Sequence, residues 1–129
     1  MSLIMSSVDN FTVKIIYSNN PDGSISYYED EGPQPSNVIT EIFTFRKPTW
    51  ADVRNMMSAS ATLVNDGTLK VDPWKLMDIK VKSLLVEWTL LDSAKKKLPI
   101  NARNIDLLYP TLISKLNDKI EAVLSSQIN

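Results

Sequence analysis

Apolar and polar side chains alternate through Phe11-Thr12-Val13-Lys14-Ile15, with Ile16-Tyr17 continuing the run, and a period of two is the mark of a half-buried strand. Ser18-Asn19-Asn20-Pro21-Asp22-Gly23-Ser24 follows with dense turn chemistry, since Pro fixes one dihedral and Gly permits positive φ. The short run Ile25-Ser26-Tyr27-Tyr28 is placed to pair back as a hairpin. Residues 29–37 are acidic and rich in Pro and Gly, which predicts an exposed loop. From Val38 to Phe45 the β pattern returns, with Ile39, Phe43 and Phe45 among its apolar members. These runs predict a small antiparallel sheet or β-ribbon.

Beyond residue 48 the period changes. Thr49 is a candidate N-cap, and Asp52 three residues later completes a capping-box start for a helix reaching about Ala61. Asn65-Asp66-Gly67 reads as a turn. Asp72-Pro73 is a strong helix start, because a carboxylate accepts the free N–H groups and Pro at the first position loses nothing by lacking one. Trp74, Met77, Val81, Leu84, Leu85 and Trp88 then recur at spacings of three and four, predicting a helix about four turns long. This segment is expected to be the longest and best-buried helix, with Asp78, Lys80, Lys82 and Glu87 off its apolar stripe. Residues 91–99 interrupt the helical phase. Asn101 opens a short helix carrying Ile105 and Leu108. Pro110 restarts the chain into a last helix with Leu112, Leu116, Ile120 and Val123 or Leu124 on one face. The expected class is α+β in one domain over residues 1–129. Residues 1–47 would form a small N-terminal antiparallel β segment, and residues 48–129 a bundle of about four helices.

Composition narrows the function. The chain has 129 residues, 43% of them apolar and 22% charged, so it can bury a core. A net charge of -1 argues against binding nucleic acid by coating its phosphates. The absence of Cys excludes disulfides, zinc thiolates, iron–sulfur clusters and thiol catalysis. The absence of His removes the usual general base, metal ligand and neutral-pH switch. A non-enzymatic protein without cofactor or metal is therefore expected. Met1 to Ser7 lack the basic and apolar regions of a signal peptide, and no apolar run approaches the ~18 residues needed to cross a bilayer. A cytosolic protein, or part of an assembly built in the cytosol, is the corresponding expectation.

Candidate chemistry is sparse. Glu29-Asp30-Glu31 is contiguous and followed by prolines, unlike the spaced ligands of a calcium loop, and reads as a solvated loop. Lys95-Lys96-Lys97 reads as an exposed turn rather than a phosphate site. Asp72 and Asp78 do not form an acid–base pair. Three glycines cannot assemble a Walker or dinucleotide loop. The aromatic residues say more. Trp74 and Trp88 lie on the periodic stripe and are expected in the core. Trp50, in the first turn after Pro48, fits core packing and partner contact equally. Met56 and Met57 are adjacent on a helix and cannot both face inward. Trp50, Val53, Met56 and Met57 are therefore the candidate partner-binding residues, with the competing reading that they pack under the N-terminal strands.

One order of features carries a resemblance. Phe43-Thr44-Phe45-Arg46-Lys47-Pro48-Thr49 enters a helix through Asp52. Lys82-Ser83-Leu84-Leu85-Val86-Glu87-Trp88-Thr89-Leu90 leads to Asp92, a short turn and Leu98-Pro99-Ile100. Asn104-Ile105-Asp106-Leu107-Leu108-Tyr109-Pro110 then opens the terminal helix. Over about residues 40 to 124 this resembles the tail assembly chaperones of long-tailed bacteriophages and prophages. The chain departs from that pattern at Ala94-Lys95, where a glycine is expected after the acidic residue. The resemblance implies a non-enzymatic protein of the bacterial host cytoplasm that binds tape-measure and tail-tube proteins during tail assembly, or associates with itself. The alternative is a structural component of the virion (tail, neck or capsid-associated), its N-terminal β segment pairing with a neighbour's sheet edge. An enzyme or nucleic-acid module comes last.

Overall fold

The structure, a computed structural model, describes residues 9–126 together with Leu3. Apart from Leu3, the segment Met1 to Ser7 read above for a targeting signal lies outside the described residues. The elements in chain order are β1 (Asn10–Asn19), β2 (Ile25–Tyr28), β3 (Ile39–Arg46), α1 (Trp50–Ser60), β4 (Ala61–Leu63) and β5 (Leu69–Val71). They continue with α2 (Pro73–Leu84), β6 (Leu85–Trp88), α3 (Ala102–Asp106) and α4 (Pro110–Ser126).

Four strands form an antiparallel sheet in the order β2-β1-β3-β6, and β4 pairs with β5 as a separate hairpin. The alternation in β1 sets the register. Phe11, Val13, Ile15 and Tyr17 sit opposite Phe45, Phe43, Glu41 and Ile39 on one face, while Thr12 and Lys14 oppose Thr44 and Ile42 on the other. Helices cover the first face. Val13, Ile15, Phe43 and Phe45 pack with Val81, Leu84, Leu85, Trp88, Ile105, Leu116 and Ile120 in one core built from both halves of the chain. Trp88 stands edge-on to Phe43 at 6.4 Å, and its indole N–H donates to the Leu98 carbonyl at 2.6 Å. That bond satisfies the polar atom of a side chain that is 1% exposed.

Three turns share one backbone geometry. At Asn20–Ser24, Val64–Thr68 and Asp92–Lys96 the first residue's N–H donates to the fifth residue's carbonyl, at 2.9, 2.9 and 2.7 Å. The fourth N–H returns to the first carbonyl, at 3.0 Å in each. The fourth residue has positive φ: Gly23 at 88°, Gly67 at 85° and Lys95 at 62°. This is the three-residue hairpin loop in which a tight turn is followed by a left-handed residue. Asp22 and Asp66 accept from the N–H and hydroxyl of the residue two positions on, and Asp92 accepts from the N–H groups of Ala94 and Lys96. The third turn folds Lys97-Leu98 back against Leu90-Leu91. A lysine therefore holds the left-handed position that glycine fills in the other two turns.

Local start signals act as read. Thr49 and Asp52 form the reciprocal capping box of α1. Asp72 accepts from Trp74 N–H (3.0 Å) and Lys75 N–H (3.3 Å), with Pro73 at the first position of α2. Asn101 caps α3 through Asn104 N–H at 2.8 Å.

Five expectations are corrected. The chain is not a small N-terminal antiparallel β segment followed by a bundle of about four helices. After residue 48 it forms three further strands, one of which, β6, completes the N-terminal sheet, and α3 is only five residues long. The predicted four-turn helix stops at Leu84, because Leu85–Trp88 pairs with the free edge of β3 at Phe43–Phe45 instead of continuing the helix. The longest helix is α4, at 17 residues, not α2, at 12. Trp74 is not in the core. It lies on the same stripe as Val81 and Leu84, but helical spacing fixes an angle around the axis and not a position along it. Burial rises along α2 from exposed Trp74 through half-buried Met77 to fully buried Val81 and Leu84, so its first turn lies outside the core. Lys80, expected off the stripe, is buried between α2 and α4, where its amine meets Asn117 Oδ1 at 3.1 Å and the Glu121 carboxylate.

Candidate partner-binding surface

The segment from Trp50 to Leu84 is a helix–hairpin–helix. Asp72 N–H donates to the Ser60 carbonyl at 2.9 Å, which closes the neck of the β4–β5 hairpin and sets the end of α1 against the start of α2. Ser60 is buried there, its hydroxyl donating to the carbonyls of Met56 (2.8 Å) and Met57 (3.1 Å). At the other end Arg46 donates both to the Asp52 carboxylate and to the Ser83 carbonyl (3.3 Å), tying β3 and the start of α1 to the end of α2. The two helices therefore run antiparallel, held at both ends.

The four candidate partner-binding residues separate on this frame. Met56 is buried and Val53 half-buried, so both serve the packing of α1. Trp50 is 75% exposed and Met57 43%. Only these two of the four are presented outward. The reading that all four pack under the N-terminal strands fails for Trp50.

Further apolar surface lies where the pattern did not place it. Ala61, Leu63, Leu69 and Val71 share one face of the hairpin, since Leu63 opposes Leu69 and Ala61 opposes Val71. Leu63 and Leu69 are 72% and 70% exposed, and Trp74, three residues past the hairpin, is 76% exposed. A lone two-stranded hairpin is marginal in water, and one with an uncovered apolar face is a contact surface in need of a partner. A signal for the hairpin exists in the sequence. Asn65-Asp66-Gly67-Thr68 repeats the acid–glycine–hydroxyl order of Asp22-Gly23-Ser24, flanked by Ala61-Thr62-Leu63 and Leu69-Lys70-Val71.

Several titratable groups are committed to structure. Hydrogen bonds from Arg46, then from the Thr49 backbone, hold the Asp52 carboxyl at about 2, as befits a tie rather than a base. Ser24 lowers Asp22 and Thr68 lowers Asp66 within their turns, and Lys97 lowers Glu87. Asp106 and then Asp78 raise the Lys82 ammonium. The acidic loop is held by surface lysines: Asp30 lies 3.4 Å from Lys14, and Glu29 lies 3.7 Å from both Lys115 and Lys119. Among the described residues no group of three or more His, Cys, Asp or Glu is arranged to hold a metal ion. No helix among them is long and apolar enough to cross a membrane. Comparison of the chain with protein-family models, with curated proteins and with solved structures finds no match.

Proposed function

We propose that this chain is a non-enzymatic tail assembly chaperone of a long-tailed bacteriophage or prophage. In this reading it acts in the host cytoplasm and binds tape-measure or tail-tube protein through the helix–hairpin–helix surface. The observation that carries the binding role is the exposed apolar set Trp50, Leu63, Leu69 and Trp74, mounted on a frame tied at both ends. Anchors in protein interfaces are enriched in Trp, and fixed anchors lose little entropy on binding. The tail-assembly assignment draws on the resemblance over residues 40 to 124. The test is a pull-down of tape-measure and tail-tube proteins by the wild-type chain and by Trp50→Ala and Trp74→Ala. Capture by wild type that weakens at least tenfold in either variant supports the reading. Failure of wild type to capture any of them removes the tail-assembly assignment.

A second reading, a structural component of the virion, is favoured by the outer edge of β1. Its pairing with β2 covers only Ile16 to Asn19, and no other strand pairs with that edge from Asn10 to Ile15 among the described residues. Mass spectrometry of purified particles separates the two, because a chaperone is missing or trace and a structural protein is stoichiometric.

A further inference from the structure

A cavity of about 240 Å³ opens between the β1–β2–β3 end of the sheet and the α3–α4 junction, and it shares no residue with the helix–hairpin–helix surface. Its lining is mostly apolar and aromatic, including Tyr17, Tyr27, Phe43, Leu108 and Tyr109. Glu41 is its one acidic lining residue, and no Lys or Arg lines it. The Glu41 carboxylate accepts from the Thr89 hydroxyl, and no ion pair reaches it among the described residues. Lys115, a nearby cation, lies over the Tyr27 ring at 5.7 Å and is directed to Glu29. Tyr27 is held in place by its hydroxyl contact with Thr111 at 2.9 Å. A carboxylate beside an apolar recess attracts a cation, and tyrosine faces attract the same cations. The Tyr17 phenol is raised first by burial and then by Glu41.

We infer that this cavity binds an organic monocation, an ammonium or guanidinium on a short apolar stem, with Glu41 meeting the charge and the tyrosine rings enclosing the stem. Exposed Leu107 and Tyr109 at the mouth leave it open to a free amine or to a Lys or Arg side chain of a partner.

The test titrates the isotope-labelled full chain with 2-phenylethylammonium, with neutral 2-phenylethanol and with the blocked peptide acetyl-Leu-Arg-Leu-amide, followed by amide NMR shifts. The ammonium should saturate with a Kd of about 1 mM, as a ligand of nine heavy atoms can reach, and shift Asn19, Ile25 and Leu108. The alcohol should bind at least fivefold more weakly. Glu41→Gln, which keeps an acceptor for Thr89, should abolish that difference. Saturation by the peptide at the same amides supports the site and assigns the cation to a partner side chain. Saturation by the ammonium alone supports it and assigns a free amine. Equal binding of alcohol and ammonium to wild type overturns the inference, as does the absence of saturable shifts with both cations up to about 20 mM. The wild-type comparison stands even where Glu41→Gln fails to fold.

Discussion

Removing the charge of Asp52 tests how β3, α1 and α2 are held together. The Asp52 carboxylate accepts from the Thr49 N–H at 2.8 Å, completing the capping box, and from the Arg46 guanidinium, which also reaches Ser83. Asp52→Asn keeps an oxygen for the Thr49 N–H and discards the charge, so it isolates the ion pair from the cap. The carboxyl lies at about 2 against an ordinary 3.8. A difference of that size corresponds to about 2.5 kcal/mol of stability at neutral pH. Part of that difference comes from the Thr49 N–H, which Asn keeps bonded, and the two side chains are 31% and 24% exposed, so the expected loss is about 1–2 kcal/mol. Because the folded-state value is the lower one, this contribution is complete above about pH 4 and fades as pH falls from there through about 2. Urea unfolding of both proteins near pH 7 should put the Asp52→Asn midpoint about 0.5–1 M lower with an unchanged slope. The gap should narrow steadily as the series is taken down towards pH 2. A gap that is absent at neutral pH, or undiminished at the acid end, would refute the ion pair as its source.

Trp88→Ala removes the side chain that joins β6, Phe43 and the Leu98 carbonyl, and should cost about 3–5 kcal/mol by thermal or urea unfolding. Lys95→Gly should stabilise the chain by about 1 kcal/mol, read as a higher melting temperature, because Lys95 alone of the three equivalent turn positions holds a side chain at positive φ. Trp50→Ala and Trp74→Ala should each change stability by no more than about 0.5 kcal/mol, since both rings are exposed. An unfolding transition displaced well beyond that in either variant would place its ring in the core.

What the sequence determined by itself is the set of features whose causes lie within a few residues. Alternation put Val13, Ile15, Phe43 and Phe45 on one face. Thr49 with Asp52, Asp72 with Pro73, and Asn101 each start a helix where they stand, because a cap needs only its own next turn. Even the missed hairpin was locally encoded, since Asn65-Asp66-Gly67-Thr68 copies the first turn. Tertiary structure decided the rest. Leu84-Leu85-Val86-Glu87-Trp88 suits helix or strand, and the open edge of β3 made it a strand, because pairing satisfies backbone groups that a solvated helix end would leave to water. Periodicity gave Trp74 an inward angle, yet the packed core reaches only the later turns of α2 and leaves it outside. The cavity holding Glu41 draws its walls from β1, β2, β3 and the α3–α4 junction. Residues so far apart in sequence meet only through the packed core, and no local pattern records their meeting.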